Sequence, residues 1–418
     1  LQRDVTNLGV IAARDGGTLH INPSTTAGLV IENAGGRIEA DAGATVNLGG
    51  PPATTLRGGT LGGAGVLRSG TGLVLDGATS GALTLEAGAT LRRAGGTTFA
   101  FGTLVNHGTL LLEDTTGFLS GNARLAVSGE LRLEGQGSVR FAQGDETLID
   151  GTAPGARLVL GSGQTLGNQA NASGTVNVLV ENHGRLQGAG AIGRVLIQNN
   201  VINRGVMAAV DGGRLSFEGA TVAGIDIDNH GGRLETAAGS LISLGNGHPA
   251  APFAHLRGGV IAGHGRIDLV KATLSEGVII APGSSAGTLT FGGNLVFDPL
   301  GALDIELGGL NAGTDYDRVV VTGSARLDGR LDLDLLGGFR PGDADVFRIL
   351  TAASVSGAFD NVENGLVSFL GGTFEVVVGT NFVDLRHFTP APVPLPAPFA
   401  LFGVALAALA LEGRRARD

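Results

Sequence analysis

The chain predicts an all-β fold: a parallel right-handed β-helix (solenoid), then a β-rich C-terminal capping region and one short C-terminal apolar helix. Three observations predict it: a very high glycine content, a duplicated block with a shorter Asn-x-Gly period inside it, and strand-length apolar/polar alternation between the turns. Of the 418 residues, 74 are glycine. Each glycine costs a helix interior about 0.5–1 kcal/mol relative to alanine, so a helical body is excluded. An apolar fraction of 43% is enough to bury a core, which separates the chain from disordered glycine-rich polymers. No strict Gly-X-Y period runs through it, so collagen is excluded too.

The solenoid is expected over residues 1–285. Its opening, Leu1-Gln-Arg-Asp-Val-Thr-Asn, returns at Ile197-Gln-Asn-Asn-Val-Ile-Asn, and the match makes residues 1–72 a duplicate of 197–272. Along the solenoid an Asn-x-Gly turn recurs at Asn7, Asn33, Asn106, Asn182, Asn203 and Asn229. Asn and Gly tolerate the positive φ that a sharp corner needs. The alternation after each corner sends Leu, Val and Ile to one face of a short strand. Close corners lie 21 or 26 residues apart, a spacing that predicts stacked coils of about 20 residues and roughly fourteen of them at about 4.8 Å each. An antiparallel sandwich array fits that period less well. Equivalent corners are expected to stack Asn or His side chains into a structural ladder.

After residue 285 alternation becomes denser, as in Gly-Ala-Leu-Asp-Ile-Glu-Leu (301–307) and Phe-Glu-Val-Val-Val (374–378). Residues 286–388 hold 14 acids and 6 bases and more phenylalanine than the body. An exposed solenoid end offers free strand edges, so this segment reads as the cap that repeat arrays require.

The tail is the strongest functional signal. A proline-rich linker, 389–398, precedes thirteen apolar residues, Phe399 to Leu411, and a 412–418 tail containing Arg414, Arg415 and Arg417. Thirteen residues are short for a span of about twenty, and the arginines would hold the end on the cytoplasmic side. A buried C-terminal helix would explain neither the prolines nor the arginines. Val393-Pro394-Leu395-Pro396-Ala397, the apolar run and the arginine cluster together resemble the PEP-CTERM class of bacterial sorting signals in its VPLPA variety. The resemblance implies a Gram-negative exported protein. It would be held transiently in the inner membrane by 399–411, then cleaved by an exosortase and displayed at the cell surface or released. Glu412, Asp418 and Pro398 depart from the pattern. The body also resembles autotransporter passengers in Ala281-Pro-Gly-Ser-Ser-Ala-Gly-Thr-Leu-Thr, Gly-Thr-Asp-Tyr-Asp-Arg (313–318) and Asp-Val-Phe-Arg-Ile-Leu-Thr-Ala (345–352). A chain starting at Leu1 without an apolar leader reads as processed or excerpted.

Chemistry is expected to be sparse. Gly283-Ser-Ser-Ala-Gly287 fits G-x-S-x-G with Ser285 as nominal nucleophile, yet the sequence after it is a strand pattern. Gly188-Ala-Gly-Ala-Ile-Gly193 fits G-x-G-x-x-G but also leads into a strand. His107, His183 and His230 sit in Asn-His-Gly turns without established metal geometry. Asp315/Asp317, Asp332/Asp334 and Asp343/Asp345 each put two carboxylates on one strand face. They read as solvated acidic surface, with weak calcium binding as the competitor. No cysteine excludes disulfides and thiolate metal sites, and a single lysine, Lys271, leaves nucleic acid no basic stripe. We therefore expect no catalytic residues, no cofactor and no metal, and a surface or biofilm-matrix protein with possible partners among surface polysaccharides or other cells. The alternatives are a polysaccharide lyase or glycoside hydrolase on a β-helix, and an autotransporter-like adhesin with a specific ligand. With no tryptophan and one tyrosine, Tyr316, a sugar cleft has little to build on.

Overall fold

A computed structural model describes residues 3–23, 28–113, 123–142, 147–219, 224–245 and 253–392. Among them every element is a strand and none is a helix. The sorting motif Val393–Ala397, the apolar run 399–411 and Arg414, Arg415 and Arg417 lie outside the described residues.

The strands wind as a parallel solenoid with three faces. In the first winding these are Val5–Thr6, Val10–Ala13 and Thr18–Ile21. Each lies parallel to its counterpart one winding on, Leu29–Glu32, Arg37–Ala40 and Thr45–Leu48. The third face is a 14-stranded sheet running from Thr18–Ile21 to Arg330–Leu335. The other two faces merge into one sheet because Gly96–Asn106 and Ala123–Glu134 pass through both without a break.

Alternation along these short strands builds the interior. Ile31 stacks on Leu56, Ile38 on Leu61 and Val46 on Leu67, all fully buried and in direct register. Burying one such side chain contributes roughly 1.5–3 kcal/mol. The outward positions carry ion pairs that link windings, such as Arg124–Asp150, whose Nη2 and Oδ2 are 2.6 Å apart.

Windings are less uniform than a 20-residue period implies. Third-face strands begin 19 residues apart between Thr90 and Thr109, and 29 apart between Thr109 and Ser138. Longer corners absorb the difference, so twelve windings, and not fourteen, precede residue 285. Nor does parallel pairing end there. Thr288–Gly292 lies parallel to Arg318–Val321, and Ala302–Leu307 to Arg330–Leu335. The antiparallel closure is built from Leu366–Phe369, Gly372–Val378 and Phe382–Pro390. The last of these also pairs antiparallel with Phe347–Thr351, covering the final winding. Beneath it Phe347 meets Tyr316, Phe339 and Phe374 edge-to-face at 5.3–6.1 Å between centroids.

The duplicated blocks are out of phase around the axis. Val5–Thr6 lies on the first face, whereas its counterpart Val201–Asn203 stacks on Leu179–Asn182 of the second. Likewise Val10–Ala13 is on the second face and Val206–Val210 on the third. The two copies are thus separated by eight windings and one further face.

Candidate functional site

The six corner asparagines are all buried, and five of them form two columns at different edges of the solenoid. Asn7 and Asn33 occupy the edge between the first and second faces, where Asn7 Nδ2 donates to Asn33 Oδ1 at 2.6 Å. Asn182, Asn203 and Asn229 occupy the edge between the second and third faces. Asn182 Nδ2 donates to Asn203 Oδ1 and Asn203 Nδ2 to Asn229 Oδ1, each at 2.7 Å. Both columns stop at a Gly-Gly corner. The amide of Asn33 turns to the carbonyl of Gly58, and that of Asn229 to the carbonyl of Gly258, at 3.4 Å each. A Cβ on Gly59 or Gly259 would collide with the carbonyl oxygen and side-chain amide of the asparagine beneath.

Asn106 does not join the others directly. Its Nδ2 donates to Oε1 of Gln164 at 2.9 Å, while Gln164 Nε2 donates to the carbonyls of Asn106 and Glu134. The winding between them carries Gly135 and Gly137, which leaves the amides room to meet. Gln164 and Asn168, which caps another corner through the carbonyls of Ala172 and Ala189, are missed by a search for Asn-x-Gly. The histidines stay outside the columns: His183 pairs with Glu181 and His230 with Asp228 at the surface.

A second constellation lies near the closed end. Asp304 stacks in register on Asp332, and Glu306 on Asp334. Strand spacing sets the backbones of these four acidic residues about 4.8 Å apart across windings and about 7 Å along each strand. Asp304 and Glu306 share a cleft with Arg233, Ser285 and Asp317. Asp317 is buried, and its two oxygens accept from the backbone N–H groups of Gly287 and Glu306 at 2.7 and 2.9 Å. Burial, aided by the charges of Glu306 and Asp304, pushes its carboxyl up to about 7 despite those hydrogen bonds. The carboxyl of Asp304 is also raised, by burial and by Asp334, Asp332 and Glu306. Asp317 is therefore a clamp between the 283–287 turn and the neighbouring winding. Arg330 covers Asp332 at 2.7 Å. Asp315 is tied to Asn311, Asp345 accepts from the backbone of Gly342, and exposed Asp343 lies 3.5 Å from His387.

The nominal nucleophile Ser285 sits in the turn before Thr288–Gly292, a strand, and the cleft lining includes no histidine among the described residues. Gly188–Gly193 likewise leads into the strand Arg194–Ile197. No group of three or more metal-ligating side chains converges among the described residues. Tyr316 is buried under the cap, so it offers sugar no platform. No protein-family model matches the chain, and no curated protein matches its sequence.

Proposed function

We propose that the chain is a non-catalytic exported protein of the bacterial surface or extracellular matrix, with a structural and adhesive role, and that its C-terminus is sorted and cleaved by an exosortase-type protease. The observation that carries this reading is the sequence of the tail: Val393-Pro394-Leu395-Pro396-Ala397, an apolar run, then Arg414, Arg415 and Arg417. The body is consistent with it. A rod of stacked windings, taken as right-handed because parallel crossovers overwhelmingly are, presents long polar faces and closes at the end from which the linker leaves. The inner membrane would be a transient partner through 399–411. The test is the intact mass of the protein recovered outside the producing cell. Loss of the segment after about Pro396 is expected, and an intact C-terminus overturns the reading.

A second reading has one specific observation behind it. The cleft lined by Arg233, Asp304 and Glu306 sets two acidic residues of one strand face beside an arginine, their backbones about 7 Å apart, and glycosidases work with a pair of carboxylates about 5–9.5 Å apart. A polysaccharide lyase or hydrolase would use them. Release of reducing sugar from acidic or neutral polysaccharides, abolished by Glu306→Gln, would establish it.

A further inference from the structure

The three corners between the first and second faces at residues 152–156, 178 and 198–200 differ sharply in length. Five residues connect Thr147–Gly151 to Arg157–Leu160. A single residue, Val178, connects Ser173–Asn177 to Leu179–Asn182. Three connect Arg194–Ile197 to Val201–Asn203. The short middle corner, flanked by longer ones, leaves a notch of about 540 Å³ across the rod. Its floor is Val178, which is buried. Its walls stand two winding spacings apart, about 10 Å between backbones.

The walls are fixed. The backbone N–H of Thr152 donates to the carbonyl of Val127, and that of Val180 to the carbonyl of Asn200. The side chains lining the notch are uncharged, in contrast to the ion-paired faces around it. Among the described residues no side chain or backbone group partners the Asn177 amide. Asn199 uses its Oδ1 on the backbone of Asn200, and Asn200 uses its Oδ1 on the backbone of Asp226, so both keep their Nδ2 donors. Amides offer donors and an acceptor together, which suits a ligand whose groups are also both. A carboxylated or phosphorylated ligand would find no cation here.

We propose that this notch binds one strand of a neutral, unsubstituted polysaccharide, its hydroxyls taken by Asn177, Asn199, Asn200 and Thr152. The proposal deepens the adhesive reading and rests on it for the ligand's biological setting. Without aromatic platforms each sugar contributes little, so affinity rests on the several amide and hydroxyl contacts gathered in this one notch.

The test uses the purified full chain titrated with maltohexaose, cellohexaose and, as anionic control, hexagalacturonate. Binding of at least one neutral hexasaccharide is expected, weakened at least tenfold in Asn177→Ala/Asn199→Ala with the melting temperature unchanged. Should that variant fail to fold, side-chain amide NMR signals of Asn177 and Asn199 in the unaltered chain are expected to shift on titration. No neutral binding at millimolar sugar, equal binding by the folded variant, shifts confined to other faces, or preference for hexagalacturonate overturns the proposal. The measurement does not involve the tail. An uncleaved C-terminus sinks the sorting reading and leaves this result standing, and the converse holds equally.

Discussion

Asn203 is hydrogen-bonded on both sides, accepting from Asn182 and donating to Asn229 at the same 2.7 Å. Removing it costs the buried Asn182 amide one of its two acceptors, leaving the carbonyl of Val206, and orphans the buried Oδ1 of Asn229, each loss at roughly 1–3 kcal/mol. Asn203→Ala is therefore expected to lower stability by about 2–4 kcal/mol. Asn7→Ala, which removes an end rung, should cost about half as much. Denaturant melts of the two variants, with hydrogen exchange to localise the loss, check the order.

Gly59 combines a φ of +74° with a Cβ position blocked by Asn33. Gly231 has the same φ but open space around it. Gly231→Ala is expected to cost roughly 1–2 kcal/mol from backbone strain alone. Gly59→Ala adds a backbone collision and should cost more or lose the folded state. Expression yield and thermal melting of the pair separate the two causes.

The Asp317 carboxyl lies up near 7 in the folded chain, against roughly 3.9 when unfolded. Between those values the folded state holds the extra proton, so its contribution is full below about pH 4 and is lost as pH rises to about 7. Over that window stability should fall by a few kcal/mol, on the order of 1.4 per unit of difference. Asp317→Asn is expected to flatten the slope, at the expense of a hydrogen bond from Gly287 or Glu306. Urea midpoints from pH 4 to 8 read it directly.

Asp384 behaves in the opposite sense. Its fully buried carboxylate accepts two bonds from Arg348, at 2.8 and 3.1 Å, and one from Arg386 at 2.7 Å. Burial disfavours its charge, but the two arginines outweigh that and hold the carboxyl below its usual range. Its contribution is present above about pH 4 and is lost as pH falls through the depressed value. Asp384→Ala should loosen the cap by roughly 1–3 kcal/mol, since both arginines are partly exposed and rehydrate. Faster exchange of the amides in Gly372–Val378 is the expected signature.

Much of the architecture was readable because it rests on local rules. Asn203 and Gly205 announce a corner, and Arg214-Leu-Ser-Phe217 announces a strand with one apolar side. The column from Asn182 to Asn229 keeps its corners in line although its two windings are 21 and 26 residues long. What could not be read depends on how many residues each corner spends. Gln164 lies in Gly-Ser-Gly-Gln, outside the Asn-x-Gly pattern, and reaches its partner across a winding emptied by Gly135 and Gly137. The pairing of Asp304 with Asp332 follows from a 28-residue winding, longer than the inferred period, so no spacing argument places those carboxylates side by side. Asn7 and Asn203 occupy similar local sequence, Val-Thr-Asn-Leu-Gly-Val and Val-Ile-Asn-Arg-Gly-Val, yet the intervening corners carry them to different edges.

That phase difference has a mechanical outcome. Whatever grips the surface built around Val10–Ala13 meets its twin about 40 Å farther along, turned to a neighbouring side of the shaft. A straight filament lying against one flank touches a single twin. Two filaments, or one that coils around the shaft, reach both. The duplication thus sets two like surfaces on neighbouring sides of the shaft, where an in-phase copy would have extended a single stripe.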